Sequence, residues 1–128
     1  MLDTNVVSQI MQGRETRLLD RLSSVAVGEV VISSITLAEL EYGLHRKGQA
    51  ERLRSAMTQF LLRVDVLPWD EKVAVCYGAF CVKLEKQGIN LSDFDMMIAA
   101  HAVATDAILV SRDKAFAQIT DGLQLAIW

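Results

Sequence analysis

Short apolar, often β-branched runs alternate with longer stretches of helical periodicity, and this alternation constrains the fold of the chain more than any other feature. A run from Val25 to Ile32 turns at Gly28 and ends in Val30, Val31 and Ile32. Val64 to Leu67, Ala107 to Val110 and Leu123 to Ile127 also have the length and composition of strands. Met1-Leu2 reads as the stub of a further strand ahead of a helix over Thr4 to Met11. Helices are expected over Ile35 to Arg46, Ala50 to Leu62, Asp70 to Gln87 and Asp95 to Ala104. Ser33 or Ser34 is placed to cap the first of these and Ser92 or Asp93 the last, while Gly88 stops the third. Strands in alternation with helices predict an α/β domain over residues 1–128, with a central, mainly parallel β-sheet flanked by helices on both faces.

A sheet of this kind binds ligands at the carboxyl ends of its strands. Asp3 follows the first stub and Asp113 follows the Ala107 to Val110 run, so both are expected at that edge. Glu39 lies one turn into the helix after Ile32, and Asp95 opens the helix that precedes the Ala107 run. Four carboxylates in one pocket repel unless protons or a cation offset them. A hard divalent ion such as Mg²⁺ or Mn²⁺, held by oxygen ligands, is the usual solution and points to phosphoryl chemistry.

Each acid also has a plain structural explanation. Asp3, Asp93, Asp95 and Asp113 all stand where aspartate caps a helix or opposes its dipole. Asp93 is given the cap and Asp95 the ligand role. Glu39 and Glu41 flank Leu40 at roughly 200° around the helix axis; the helical wheel does not choose between them. Asn5 is placed to donate its amide to Asp3, and Ser111 to bond a neighbouring carboxylate or a metal-bound water. Arg112 and Lys114 are the nearest candidates for a substrate phosphate.

Composition narrows the classes. The net charge of −3 does not advertise a nucleic-acid binder, although basic residues gather as His45-Arg46-Lys47, as Arg14, Arg17 and Arg21, and as Arg52 and Arg54. Cys76 and Cys81 lie on different faces of one expected helix, which argues against a disulfide or a shared metal and for small core residues in a reducing compartment. No signal peptide and no membrane span are expected, hence a soluble cytoplasmic protein. His101 sits in an apolar helix and reads as a packed, hydrogen-bonded histidine. A zinc cluster, a serine or cysteine triad and a glycine-rich phosphate loop all lack their residues. Leu53, Met57, Leu61, Val75 and Phe80 read first as core and second as a surface for self-association.

Four stretches together resemble a known family. They are Leu2-Asp3-Thr4-Asn5, Ile32 to Leu40, Asp93 to Ala102 and Leu109 to Phe116. In this order and spacing they resemble a PIN-domain ribonuclease, in particular a VapC-type toxin of a type II toxin–antitoxin pair. The resemblance runs from end to end, and departs only in having Met1 and Leu2 alone before the first aspartate. It implies that Asp3, Glu39, Asp95 and Asp113 form the acidic pocket, with Glu39 chosen over Glu41 and with Asn5 and Ser111 in support. Asp3 and Asp95 would bind Mg²⁺ or Mn²⁺ most directly, and Glu39 and Asp113 through water or at a second ion. It further implies cleavage of structured RNA such as tRNA, a cognate VapB-type antitoxin and a homodimer.

Two rival functions remain open at this point. A receiver-like phosphoacceptor signalling domain is also a small α/β fold with an acidic Mg²⁺ pocket. It needs paired acids after the first strand and an aspartate after the third, whereas Asp65 falls inside an expected strand. A catalytically silent PIN-like interaction module would not need all four acids.

Overall fold

The computed structural model describes residues 1–46 and 51–128. Ala50 and Lys47, named above in an expected helix and a basic group, lie outside the described residues. The chain runs through α1 (Thr4–Gln12), α2 (Thr16–Ser24), β1 (Val31–Ser33), α3 (Ser34–Arg46), α4 (Glu51–Leu61), β2 (Asp65–Leu67), α5 (Glu71–Lys86), α6 (Asp93–Ala104), β3 (Leu109–Val110), a 3₁₀ turn (Phe116–Gln118) and β4 (Leu125–Ala126).

The strands are shorter than the apolar runs that contain them. Residues 25–30 form a turn rather than a strand. Leu2 contributes only bridges, yet it occupies the middle of the sheet, pairing with Ile32 on one side and Val110 on the other. The order is therefore β2-β1-Leu2-β3-β4, and every pair is parallel. Three backbone bonds pin the stub: Leu2 N–H to Val31 O at 2.9 Å, Asp3 N–H to Val110 O at 3.1 Å, and Val110 N–H to Met1 O at 2.8 Å.

Successive strand residues point to opposite faces and split the core in two. Leu2, Ile32 and Val110 pack with Val6, Ile10, Leu18, Leu40, Leu44 and Phe60 under α1 to α4. Met1, Val31 and Leu109 pack with Phe80, Leu84, Ile98, Ala99 and Phe116 under α5 and α6. The expected three-layer α/β arrangement is what forms.

The helix ends follow local chemistry. Asp3 caps α1 through Val6 N–H, and Gly13, at φ 65°, closes it in the left-handed conformation that glycine adopts without steric cost. Asp70 caps α5 through Val73 N–H at 3.1 Å. Ser33 accepts from Ile35 N–H at 3.0 Å at the start of α3. Ser92, not Asp93, caps α6, accepting from Asp95 N–H at 3.3 Å; Asp93 is the first residue of the helix. α2 is absent from the sequence expectations. The Glu15 side chain makes no capping hydrogen bond to the helix, and only Leu18 and Leu22 mark its buried face.

Of the apolar residues named on α4 and α5, Met57 and Phe80 are buried, while Val75 is exposed. Cys76 and Cys81 are free thiols and only half-buried, so they are not the core residues expected.

Candidate active site

Three parallel connections bring their carboxyl ends to one edge, and the acids arrive there by different routes. Asp3 leaves the central stub directly. Its side chain is 2% exposed. One carboxyl oxygen accepts from Val6 N–H at 2.6 Å, and the other accepts a short hydrogen bond from the Ser111 hydroxyl at the end of β3. Burial pushes the Asp3 carboxyl above its ordinary range. The two hydrogen bonds oppose that shift, and the charges of Asp95 and Asp113 add to it.

Glu39 sits on α3, half-buried, and accepts a 2.5 Å hydrogen bond from the Thr4 hydroxyl. Its carboxyl is also raised, first by burial and then by the charges of Asp95 and Asp3, with the Thr4 bond working the other way. Glu41 faces elsewhere and pairs with His45 at 3.8 Å. The structure thus sets Glu39, and not Glu41, within reach of the charges of Asp3 and Asp95. Asp95, on the first turn of α6, accepts from the Ser92 hydroxyl at 2.6 Å. That bond and the Asp95 N–H bond to Ser92 form a reciprocal cap that aims the carboxyl.

Asp113 is exposed, and one of its oxygens accepts from Ala115 N–H at 2.8 Å at the entry to the 3₁₀ turn. Its own N–H donates to Ser111 Oγ at 3.0 Å. Ser111 therefore ties Asp113 to Asp3 through one hydroxyl. Electrostatically the four acids form one group: Asp3 senses Asp95 and Asp113, and Glu39 senses Asp95 and Asp3.

Several supporting roles differ from expectation. Asn5 is exposed and makes no hydrogen bond among the described residues. Asp3 is held instead by Val6 N–H and Ser111, while Thr4 orients Glu39, a role the sequence did not suggest. Arg112 does not stand free for a phosphate. Its guanidinium donates to Glu15 at 2.5 Å, to Gln9 at 3.0 Å and to Trp128 O at 2.7 Å. Lys114 is exposed and makes no ion pair among the described residues. His101 is buried, with Nδ1 and Ser33 Oγ 2.8 Å apart and Nε2 without a partner. Burial lowers its pKa.

No three of the acids, cysteines or histidines among the described residues stand as a ready metal cage. The donors are nonetheless all oxygens. Mg²⁺ is commonly held by one or two carboxylates, with water and phosphate oxygens completing its shell. Asp3 and Asp95 suit that arrangement, and the carboxyls of Asp3 and Glu39, raised first by burial and then by neighbouring carboxylates, stand in surroundings that a cation would relieve.

A PIN-domain sequence model matches residues 1–122. Ribonuclease VapC2 of Haemophilus influenzae is 38% identical over 113 residues, which are 88% of this chain and 85% of that protein. The chain belongs to the VapC family of PIN-domain ribonucleases. Among VapC relatives, the tRNA(fMet)-specific endonuclease VapC of Shigella flexneri is 32% identical, over all of this chain and 96% of its own length. The VapC fold is equally clear in three dimensions. The VapBC2 complex of Rickettsia felis, bound to a DNA fragment from its promoter, contains a chain that superposes with a TM-score of 0.92 at 32% identity. The match covers 100% of this chain and 97% of that one. No helix among the described residues is long and apolar enough to cross a membrane.

Proposed function

We propose that this VapC-family chain is a metal-dependent endoribonuclease that acts as the toxin of a toxin–antitoxin pair. The observation that carries the reading is Asp3: an aspartate buried at the carboxyl edge of the sheet, beside the charges of Asp95 and Asp113, with its carboxyl pushed upward. Folding that charge away from water is costly, and a bound cation offsets the cost.

Asp3 and Asp95 are the residues that would hold Mg²⁺ or Mn²⁺. When bound, the ion lowers the pKa of a coordinated water and offsets charge on the scissile phosphate. Val6 N–H and Ser111 keep the Asp3 carboxyl in place, and Ser92 does so for Asp95. Glu39, fixed by Thr4 and raised toward neutrality, is suited to orient the attacking water and accept its proton. Asp113 extends the acidic wall on the Ser111 side. Water adds to phosphorus as the bond to the ribose 3′ oxygen breaks and that oxygen takes a proton, leaving a 5′-phosphate and a 3′-hydroxyl.

tRNA is the first substrate to try, given the printed specificity of the Shigella flexneri relative. A VapB-type antitoxin is the expected partner, since the Rickettsia felis match is a VapBC complex. A basic antitoxin side chain entering the acidic site would compete with the metal. Among the described residues no feature favours the receiver-like alternative.

The test is to incubate purified protein with tRNA and Mg²⁺. Cleavage is expected to stop on addition of a chelator, and to fall about a hundred-fold or more in Asp3→Asn and Asp95→Asn. Cleavage that survives the chelator and both substitutions contradicts the mechanism.

A further inference from the structure

The acidic site continues into open space on one side. A cavity of about 460 Å³ is lined by Thr4, Ala38, Glu39, Tyr42 and Phe94. Tyr42 is 67% exposed and Phe94 is 53% exposed. Both rings line this cavity while keeping large exposed areas, and exposed aromatic area gathered in one concavity is characteristic of a binding surface. Tyr42 lies three residues beyond Glu39, on the same face of α3. Phe94 immediately precedes Asp95 on α6. Two separate helices thus bring aromatic rings to the cavity that Glu39 lines.

The space does not end there. Thr4 and Glu39 also line a cavity of about 140 Å³ together with Ser8, Met11 and Leu53. Met11 and Leu53 in turn line a cavity of about 210 Å³ together with Arg14 and Arg52. Through these shared residues the three spaces are neighbours, set one after another beside α1, whose nine residues span about 13 Å. Arg14 and Arg52 are exposed and make no ion pair among the described residues. The row of spaces therefore offers aromatic faces at one end, Glu39 of the acidic site beside them, and two guanidinium groups at the other end.

We propose that this row of spaces seats a single-stranded segment of the RNA substrate, with an unpaired base stacked on Tyr42 and Phe94 and phosphates farther along held by Arg14 and Arg52. The inference rests on the ribonuclease reading above. A nucleotide strand presents these groups in the required order: a π-face for the rings, a phosphate for the metal at the acids, and further phosphates for the arginines. Glu39 lines the first two of these spaces, so they adjoin the acidic site at that residue. An extended tail of a protein partner is the competing occupant.

The experiment uses the full chain and two double variants, Tyr42→Leu/Phe94→Leu and Arg14→Gln/Arg52→Gln. All four residues are exposed, so both variants are expected to fold. The probes are bulk tRNA for cleavage in Mg²⁺, and a short single-stranded RNA carrying 2-aminopurine for binding in Ca²⁺. The wild type is expected to quench the 2-aminopurine. The aromatic variant is expected to lose the quenching and about ten-fold in kcat/KM. The arginine variant is expected to keep the quenching, bind more weakly and show a log–log salt slope shallower by about 1.4.

If the wild type cleaves tRNA and both variants match it in quenching, slope and rate, the row is not the substrate seat, while the ribonuclease reading stands. A loss at one end only overturns a single seat across the row. If the aromatic variant keeps its RNA properties but loses affinity for the antitoxin, that end belongs to the protein partner and the proposal is overturned. A wild type that neither binds nor cleaves RNA removes both readings.

Discussion

The two ends of the sheet differ in a way that volume alone would rank wrongly. The amino end holds the larger cavity, about 510 Å³, walled mainly by apolar residues such as Met1, Val25, Val30 and Trp128. Its two acids, Glu29 and Asp106, are exposed to water. The carboxyl end holds smaller spaces, yet its central acid is buried and crowded by like charges. Empty apolar space can be a packing imperfection. Uncompensated charge out of water is costly and persists only where something offsets it. The chemistry is therefore assigned to the carboxyl end.

Substitutions at the two ends should separate sharply. Ser111→Ala removes the donor to the buried Asp3 oxygen and the acceptor for Asp113 N–H. A loss of about 1–3 kcal/mol in unfolding free energy is expected from denaturant titration. With that donor gone, Asp3 is raised further, so the acid limb of the rate–pH profile should move to higher pH. Ile108→Ala, at a half-exposed position of the amino end, should cost about 0.5 kcal/mol or less and leave the profile in place. Equal effects from the two changes would erase the distinction between the ends.

A subtler contrast concerns stability against pH in chelator. Asp3 has a folded pKa above its ordinary value, so the folded state holds the proton more tightly than the unfolded chain. That contribution is present below about pH 4 and is lost as pH rises through the raised value. Metal-free protein at neutral pH has therefore lost at least part of that contribution. Asp3→Asn keeps the helix cap and removes the charge. Its melting temperature at pH 7 should be a few degrees higher than that of the wild type, although its activity is lost. A lower melting temperature would mean that the carboxylate is held favourably without metal.

Much of this was legible in the chain because α/β order is written in local patterns. Four acids at strand-to-helix transitions predicted one edge, and burial of Asp3 with the charges of Asp95 and Asp113 beside it is what such convergence looks like. The misses have physical causes. α2 lacks a capping side chain and shows only two buried leucines, so its signal is weak. The apolar runs overstate the strands because in this small sheet the ladder ends after two or three residues. Asn5 was chosen for its amide, but both Asp3 oxygens are taken by Val6 N–H and by Ser111, which is distant in sequence. Arg112 looked like a phosphate ligand because its bonds to Glu15, Gln9 and Trp128 are long-range and invisible to spacing. The sorting of Glu39 from Glu41 needed either family resemblance or the fold.

Calorimetric titration of the metal-free protein with Mn²⁺ addresses the acidic site most directly. Saturable binding is expected in the wild type, and its loss is expected in both Asp3→Asn and Asp95→Asn. A wild type that takes up no ion, or variants that bind it as well as the wild type does, would contradict the account.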